Sequence, residues 1–222
     1  MIICGDEFMA KQYIPKGGNM IDVGSCYGMW VEFMLEKADV VYAFEPDMRL
    51  FPDLINKYSS NPKVKLHNIA ISEACGVCKL QINPEGNSRI GAIGEETIMM
   101  NIDTIFENIP ISCIKIDIEG FEMSALNGGL KTILKYLPVL IIEAHDNRNL
   151  IKSFFETYHY KIVFSHGRSR FPQTDNGIMV AIHESKMKDN IVEVDIKNTF
   201  RRFCGKVALS MLESEINESG TG

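Results

Sequence analysis

Short apolar runs alternate along this chain with stretches in which apolar residues recur at helical spacing. Met20 to Val23, Val40 to Phe44, Val64 to Ile71, Ile111 to Ile118 and Val139 to Glu143 read as five strands. Between them, helices are predicted over Tyr27 to Lys37, Met48 to Tyr58, Gly120 to Tyr136 and Asn147 to Tyr158. Helix Gly120 to Tyr136 is expected to bury Phe121, Leu126, Leu130 and Leu134. Strand and helix in alternation predict a parallel sheet with helices on both faces. Two further apolar runs, Tyr160 to Phe164 and Ile178 to Ile182, are joined by a polar loop too short for a crossover helix, so they predict an antiparallel closing hairpin. The fold class is therefore α/β, a mostly parallel sheet of seven strands with its last strand reversed.

The rhythm changes between Cys75 and Ile98. Val77, Leu80 and Ile82 predict an extra strand, and Asn83 to Arg89 is a polar turn, together a hairpin or flap. A short helix containing Asp103 is expected within Thr97 to Asn108. Residues 1–18 read as a helical lead-in ended by Pro15-Lys16-Gly17-Gly18, residues 19–184 as one domain, and residues 185–222 as an extension with a disordered end.

Composition narrows the class. The chain has 222 residues and a formal net charge of −6, enough for one well-buried domain and without a broad electrostatic footprint for nucleic acid. No apolar run approaches a membrane span and the first residues lack a secretory pattern, so a cytoplasmic location is expected. The six cysteines read as reduced thiols; Cys75-Gly-Val-Cys78 has the spacing of a redox or zinc pair, but no second pair or nearby histidine completes it. His159, His166 and His183 show no ligand spacing.

The chemistry concentrates at the strand ends. Gly24 and Gly28 follow the first strand, where a residue without Cβ lets backbone N–H groups lie against a ligand. Glu45 closes the second strand about twenty residues on, where doubly wound sheets place an acid on ribose hydroxyls. The spacing Gly24-x-x-x-Gly28, with Cys26 between and Asp22 before it, lacks the pyrophosphate fingerprint of a dinucleotide site and suits a ligand with a ribose and a cationic end, such as S-adenosylmethionine. Asn68 to Ser72, Lys115, Asp117, Glu119, Glu143, His145 and Asp146 end the later strands, where open α/β sheets bind ligands. Lys115 lies within its strand, where pairing with a carboxylate and protrusion at an edge both stay open. Arg168, Arg170 and Phe171, before the last strand, read either as part of an acceptor pocket or as a solvated loop.

In these pieces the chain resembles the FkbM family of S-adenosylmethionine-dependent methyltransferases. They are Asp22-Val-Gly-Ser-Cys-Tyr-Gly28, Phe44-Glu45-Pro46, Asn68-Ile-Ala70-Ile-Ser72, Ile114-Lys-Ile-Asp117-Ile-Glu-Gly-Phe-Glu122 and Ile142-Glu143, in the family's order. The family's turn usually has Ala-Asn where this chain has Ser25-Cys26. The resemblance implies a Rossmann-like class I methyltransferase fold and methyl transfer from S-adenosylmethionine, commonly to a hydroxyl of a sugar or natural product. It implies cofactor contacts from Asp22, Gly24, Ser25, Gly28, Glu45, Asn68, Ala70 and Asp117, with Asp117 near the transferred methyl and Glu119 and Glu122 beside it. A hydroxyl acceptor needs a base. His145, just beyond strand five, and Asp117 are the candidates, with Glu119 beside them; the alternatives are an exposed loop histidine and a helix N-cap aspartate. Paired carboxylates can bind a divalent ion, but no third ligand is obvious and no metal is expected. Expected partners are a small-molecule or carbohydrate acceptor, without nucleic acid. Two other classes stand beside this reading: a non-catalytic module that binds S-adenosylmethionine or a nucleotide, and an NAD-linked oxidoreductase, which the glycine spacing disfavours.

Overall fold

Five buried apolar runs pair side by side because strands covered on both faces need no polar alternation. A computed structural model describes residues 5–83, 88–145, 147–167 and 177–187. The strands are β1 (Asn19–Val23), β2 (Val40–Phe44), β3 (Val64–His67), β4 (Ala70–Ile71), β5 (Gly76–Gln81), β6 (Arg89–Gly91), β7 (Glu95–Met100), β8 (Ile111–Ile116), β9 (Val139–Ala144), β10 (Tyr160–Gly167) and β11 (Gly177–His183). The helices are α1 (Gly5–Ala10), α2 (Met29–Leu35), α3 (Phe51–Tyr58), α4 (Ile102–Ile105), α5 (Glu122–Gly128), α6 (Leu130–Tyr136) and α7 (Arg148–Thr157).

The main sheet has seven strands in the order β10-β11-β9-β8-β1-β2-β3. The pairs β1·β2, β2·β3, β1·β8 and β8·β9 are parallel, and β11 runs antiparallel to both its neighbours, as expected. The chain moves outward from β1 to β3 and then returns to the other side of β1 as β8. Strand order therefore reverses between β1 and β8, and the crevice at their carboxyl ends is the ligand position of such sheets.

Alternate residues feed two cores, one on each face. Ile21, Val23, Ile114, Ile116, Leu140 and Ile142 face α4 to α7. Met20, Val41, Cys113, Ile141 and Val180 face α1, α2 and α3. Among the described residues no helix is long and apolar enough to cross a membrane. The predicted extension 185–222 opens in a 3₁₀ turn, Glu184–Lys186, and lies outside the described residues from 188 on.

Three expectations need correction. The third strand does not run from Val64 to Ile71: it stops at His67, and β4 leaves to pair with β7. The Asn68 side chain, donating to the carbonyls of Glu45 (2.9 Å) and Pro46 (3.1 Å), turns the chain out of the main sheet. The flap is more than a hairpin, forming a four-stranded sheet in the order β4-β7-β5-β6. The long helix is two: a Cβ on Gly128 would stand 2.1 Å from the Ser72 carbonyl oxygen, so the break at Gly128-Gly129 lets this backbone touch the turn after β4. In the second half Leu134 is 45% exposed instead of buried.

Candidate active site

The end of β1 is shaped by contact with the end of β8. Gly24 has φ +79°, and a Cβ there would lie 2.0 Å from the Asp117 carbonyl oxygen, so a side chain would push the two strand ends apart. The Asp117 N–H donates to the Val23 carbonyl (3.1 Å), while the N–H groups of Gly24 and Ser25 both donate to the Phe44 carbonyl at 3.0 Å. Three strand ends are thereby tied at one point. The turn continues through Cys26, in the left-handed region at φ +48°, whose N–H donates to Glu45 Oε2 (2.8 Å). Glu45 Oε1 accepts the Asp47 N–H (2.9 Å). Burial raises the Glu45 pKa, and these two N–H groups offset part of that shift.

Beside this turn lies an open cleft with a cavity volume of about 110 Å³. Gly24, Cys26, Glu45, Asp117, Glu119 and Phe121 line it. Ile69, Ala70 and Ile71 form an apolar wall, and Ser88, Arg89 and Ile90 of the small sheet close over it. Of the residues expected to meet a cofactor, Gly24, Glu45, Ala70 and Asp117 line this cleft.

Asp22, Ser25, Gly28 and Asn68 are not among its lining residues. Asp22 is fully buried and sits opposite Lys115 in the β1·β8 register, their charges 3.3 Å apart. Lys115 also lies 3.6 Å from Asp117 and donates to the Gly24 carbonyl (3.0 Å). Burial opposes the Lys115 charge, but Asp22 and Asp117 outweigh it and raise its pKa. Asp22 thus supports the turn through Lys115 and is not among the residues that line the cleft. Ser25 donates to the Asp22 carbonyl (3.1 Å), Asn68 holds the Glu45-Pro46 backbone, and Gly28 packs on the Tyr58 ring, whose hydroxyl donates to its carbonyl (2.8 Å).

After β8 the chain makes a tight turn, with Glu119 at φ +54° and Gly120 at φ +104°. The side chain of Glu122, fully buried in the first turn of α5, reaches back to accept the Gly120 N–H (2.9 Å). Asp117 does not cap this helix; its N-cap position is Phe121, without a side-chain bond. His145, past the end of β9, presents Nδ1 to Glu122 Oε1 (3.2 Å) and Nε2 to Glu119 Oε2 (3.5 Å). Burial opposes the imidazolium, yet the Glu122 bond and the charges of Asp117 and Glu119 outweigh it, and the His145 pKa is pushed up to about 9. The carboxylates on either side of the ring favour its protonated form. Asp146, Arg168, Arg170 and Phe171 lie outside the described residues.

Sequence reasoning missed Asp47 and Arg49. The buried Asp47 carboxylate accepts from Arg49 Nε (3.0 Å) and from the Ser88 hydroxyl (2.7 Å), and Arg49 donates on to the Asn83 carbonyl (2.8 Å). These bonds latch the small sheet to the turn after β2. A carboxylate two residues from a guanidinium was visible, but a solvated pair reads the same way.

A family model described as the Methyltransferase FkbM domain matches residues 22–168. Among solved structures, an FkbM methyltransferase from Methylobacillus flagellatus KT superimposes with a TM-score of 0.54 and 22% identity, over 74% of this chain and 43% of that one. The chain thus spans under half of that protein's length. An rRNA methylase from Streptococcus thermophilus aligns with a TM-score of 0.55 and 12% identity, over 82% of this chain and 99% of that one. TrmK from M. capricolum, solved with S-adenosyl-homocysteine, aligns with a TM-score of 0.54 and 10% identity, over 83% of this chain and 70% of that one. No curated protein matches the sequence. At these identities the structural likenesses speak for the fold, and with the domain model covering residues 22–168, the chain belongs to the FkbM methyltransferase family.

Proposed function

We propose that this domain binds S-adenosylmethionine in the cleft between Gly24, Glu45 and Asp117 and transfers its methyl group to a hydroxyl of a sugar-containing or other small-molecule acceptor. The observation that carries the reading is Glu45. Its carboxylate is held by two backbone N–H groups and still lines the cleft, so lone pairs remain for a pair of ribose hydroxyls. The apolar wall of Ile69 to Ile71 suits a purine face, and Asp117 suits a cationic sulfur centre. The solved relatives with S-adenosyl-homocysteine support the same cofactor class.

When bound, the cofactor supplies an electrophilic methyl group. The chain must then align the acceptor oxygen, exclude water and take up the hydroxyl proton. Asp117 and Glu119 line the cleft, and we assign proton removal to these carboxylates. His145, whose two ring nitrogens face Glu119 and Glu122, holds the turn that carries Glu119 in place.

The test is methyl transfer from S-[methyl-³H]adenosylmethionine to a panel of hydroxylated small molecules. The reading expects acceptor-dependent release of S-adenosyl-homocysteine, reduced at least about a hundredfold in Asp117→Asn. Cofactor binding without turnover on any acceptor would favour the binding-module reading.

A further inference from the structure

Asp117, Glu119 and His145 come from the end of β8, the turn after it and the end of β9, and the fold brings one donor atom of each within 4.8 Å of the others. In the sequence the pair of acids lacked a third ligand; the parallel pairing of β8 and β9 supplies it, because it places their carboxyl ends side by side. We propose that these three residues bind one divalent first-row cation of the Mn²⁺ type on the acceptor side of the cleft.

Two features beyond proximity support the assignment. The set mixes one imidazole nitrogen with two carboxylate oxygens, a combination suited to Mn²⁺ and its neighbours rather than to a thiolate-selected metal. The ring is already oriented: Nδ1 is engaged by Glu122 (3.2 Å), a fully buried carboxylate outside the ligand set that is itself fixed by the Gly120 N–H (2.9 Å) and the Asn147 amide (2.7 Å). A carboxylate holding the far nitrogen of a histidine is the usual outer support of a metal-bound imidazole; Nε2 faces Glu119, and an ion bound there displaces its proton to solvent.

The role rests on the methyl-transfer reading. An ion here would hold an acceptor oxygen next to Asp117 and Glu119, each of which keeps one carboxylate oxygen when the other binds metal. Acceptors with two neighbouring oxygens would then be preferred, since both could reach the ion.

The experiment is a titration of the full chain, stripped with chelator, with MnCl₂, followed by the electron paramagnetic resonance of free Mn²⁺. One saturable site per chain is expected, weakened at least about tenfold in Glu119→Gln and in His145→Gln, and unchanged in Glu95→Gln, whose exposed side chain lies in the small sheet. Glu119 sits on a partly exposed turn, so its variant keeps the test informative if His145→Gln does not fold; circular dichroism checks both. Absence of saturable binding, or wild-type binding in folded Glu119→Gln, overturns the proposal. S-adenosyl-homocysteine titrated into the same wild-type sample separates the two claims: Mn²⁺ binding without it sustains the metal site and removes the methyl-transfer reading, while the nucleoside binding without Mn²⁺ does the reverse.

Discussion

At the residue scale, the pair Lys115–Asp22 shows how a charge can be structural at the edge of a site. Both side chains are buried, and only the register of β1 against β8 places them together. Lys115→Met leaves the Asp22 carboxylate buried without its cation and should cost about 3–5 kcal/mol in denaturant unfolding. Adding Asp22→Asn should recover much of that loss, because the uncompensated charge disappears. If the double variant is as unstable as the sum of the singles, the two residues do not act as a pair. Glu45 makes the opposite case, a carboxylate that stays on the cleft wall although two backbone donors already hold it. Glu45→Ala removes the proposed ribose contact together with an anchor of the Cys26 turn. It should weaken nucleoside binding by about tenfold or more with a far smaller effect on the melting temperature.

At the element scale, the latch between Asp47, Arg49 and Ser88 sets how the small sheet closes over the cleft. Burial works against the Asp47 carboxylate, but Arg49 and Ser88 outweigh it and lower its pKa to about 2. A carboxylate depressed in the folded state contributes stability above its unfolded value and loses it as pH falls through the folded one. The melting temperature should therefore fall between about pH 4 and pH 2 more steeply in wild type than in Asp47→Asn. Equal acid slopes would show that the latch contributes nothing. The break between α5 and α6 makes a second prediction: Gly128→Ala meets the Ser72 carbonyl and should destabilise the fold by roughly 3 kcal/mol on thermal unfolding.

These elements also show what could be read in advance. Strands β1, β2, β8 and β9 are covered on both faces, so their apolar runs stand out and their ends locate Gly24, Glu45 and Asp117. The α5–α6 break was hidden because Leu126, Leu130 and Leu134 keep helical spacing across it, and what ends the helix is backbone contact with a turn some fifty residues away. The departure of β4 was hidden likewise, since Asn68 acts through carbonyls of Glu45 and Pro46 that no local pattern reveals. His145 was visible as a titratable group past a strand end. Its carboxylate partners were not, because Glu119 and Glu122 reach it through the fold.

At the scale of the whole molecule, one topological fact organises the rest. The strand order reverses between β1 and β8, the glycine turn and the Asp117 loop meet there, and the small sheet covers the opening. The cleft at this point, lined by Gly24, Glu45, Ala70 and Asp117, is the proposed cofactor site. Calorimetric titration with S-adenosyl-homocysteine tests this most directly, since it needs no knowledge of the acceptor, with NADH as the control. The account predicts one site per chain for S-adenosyl-homocysteine, weakened in Glu45→Ala, and no heat from NADH. Binding of NADH, or of neither ligand by folded protein, would contradict it.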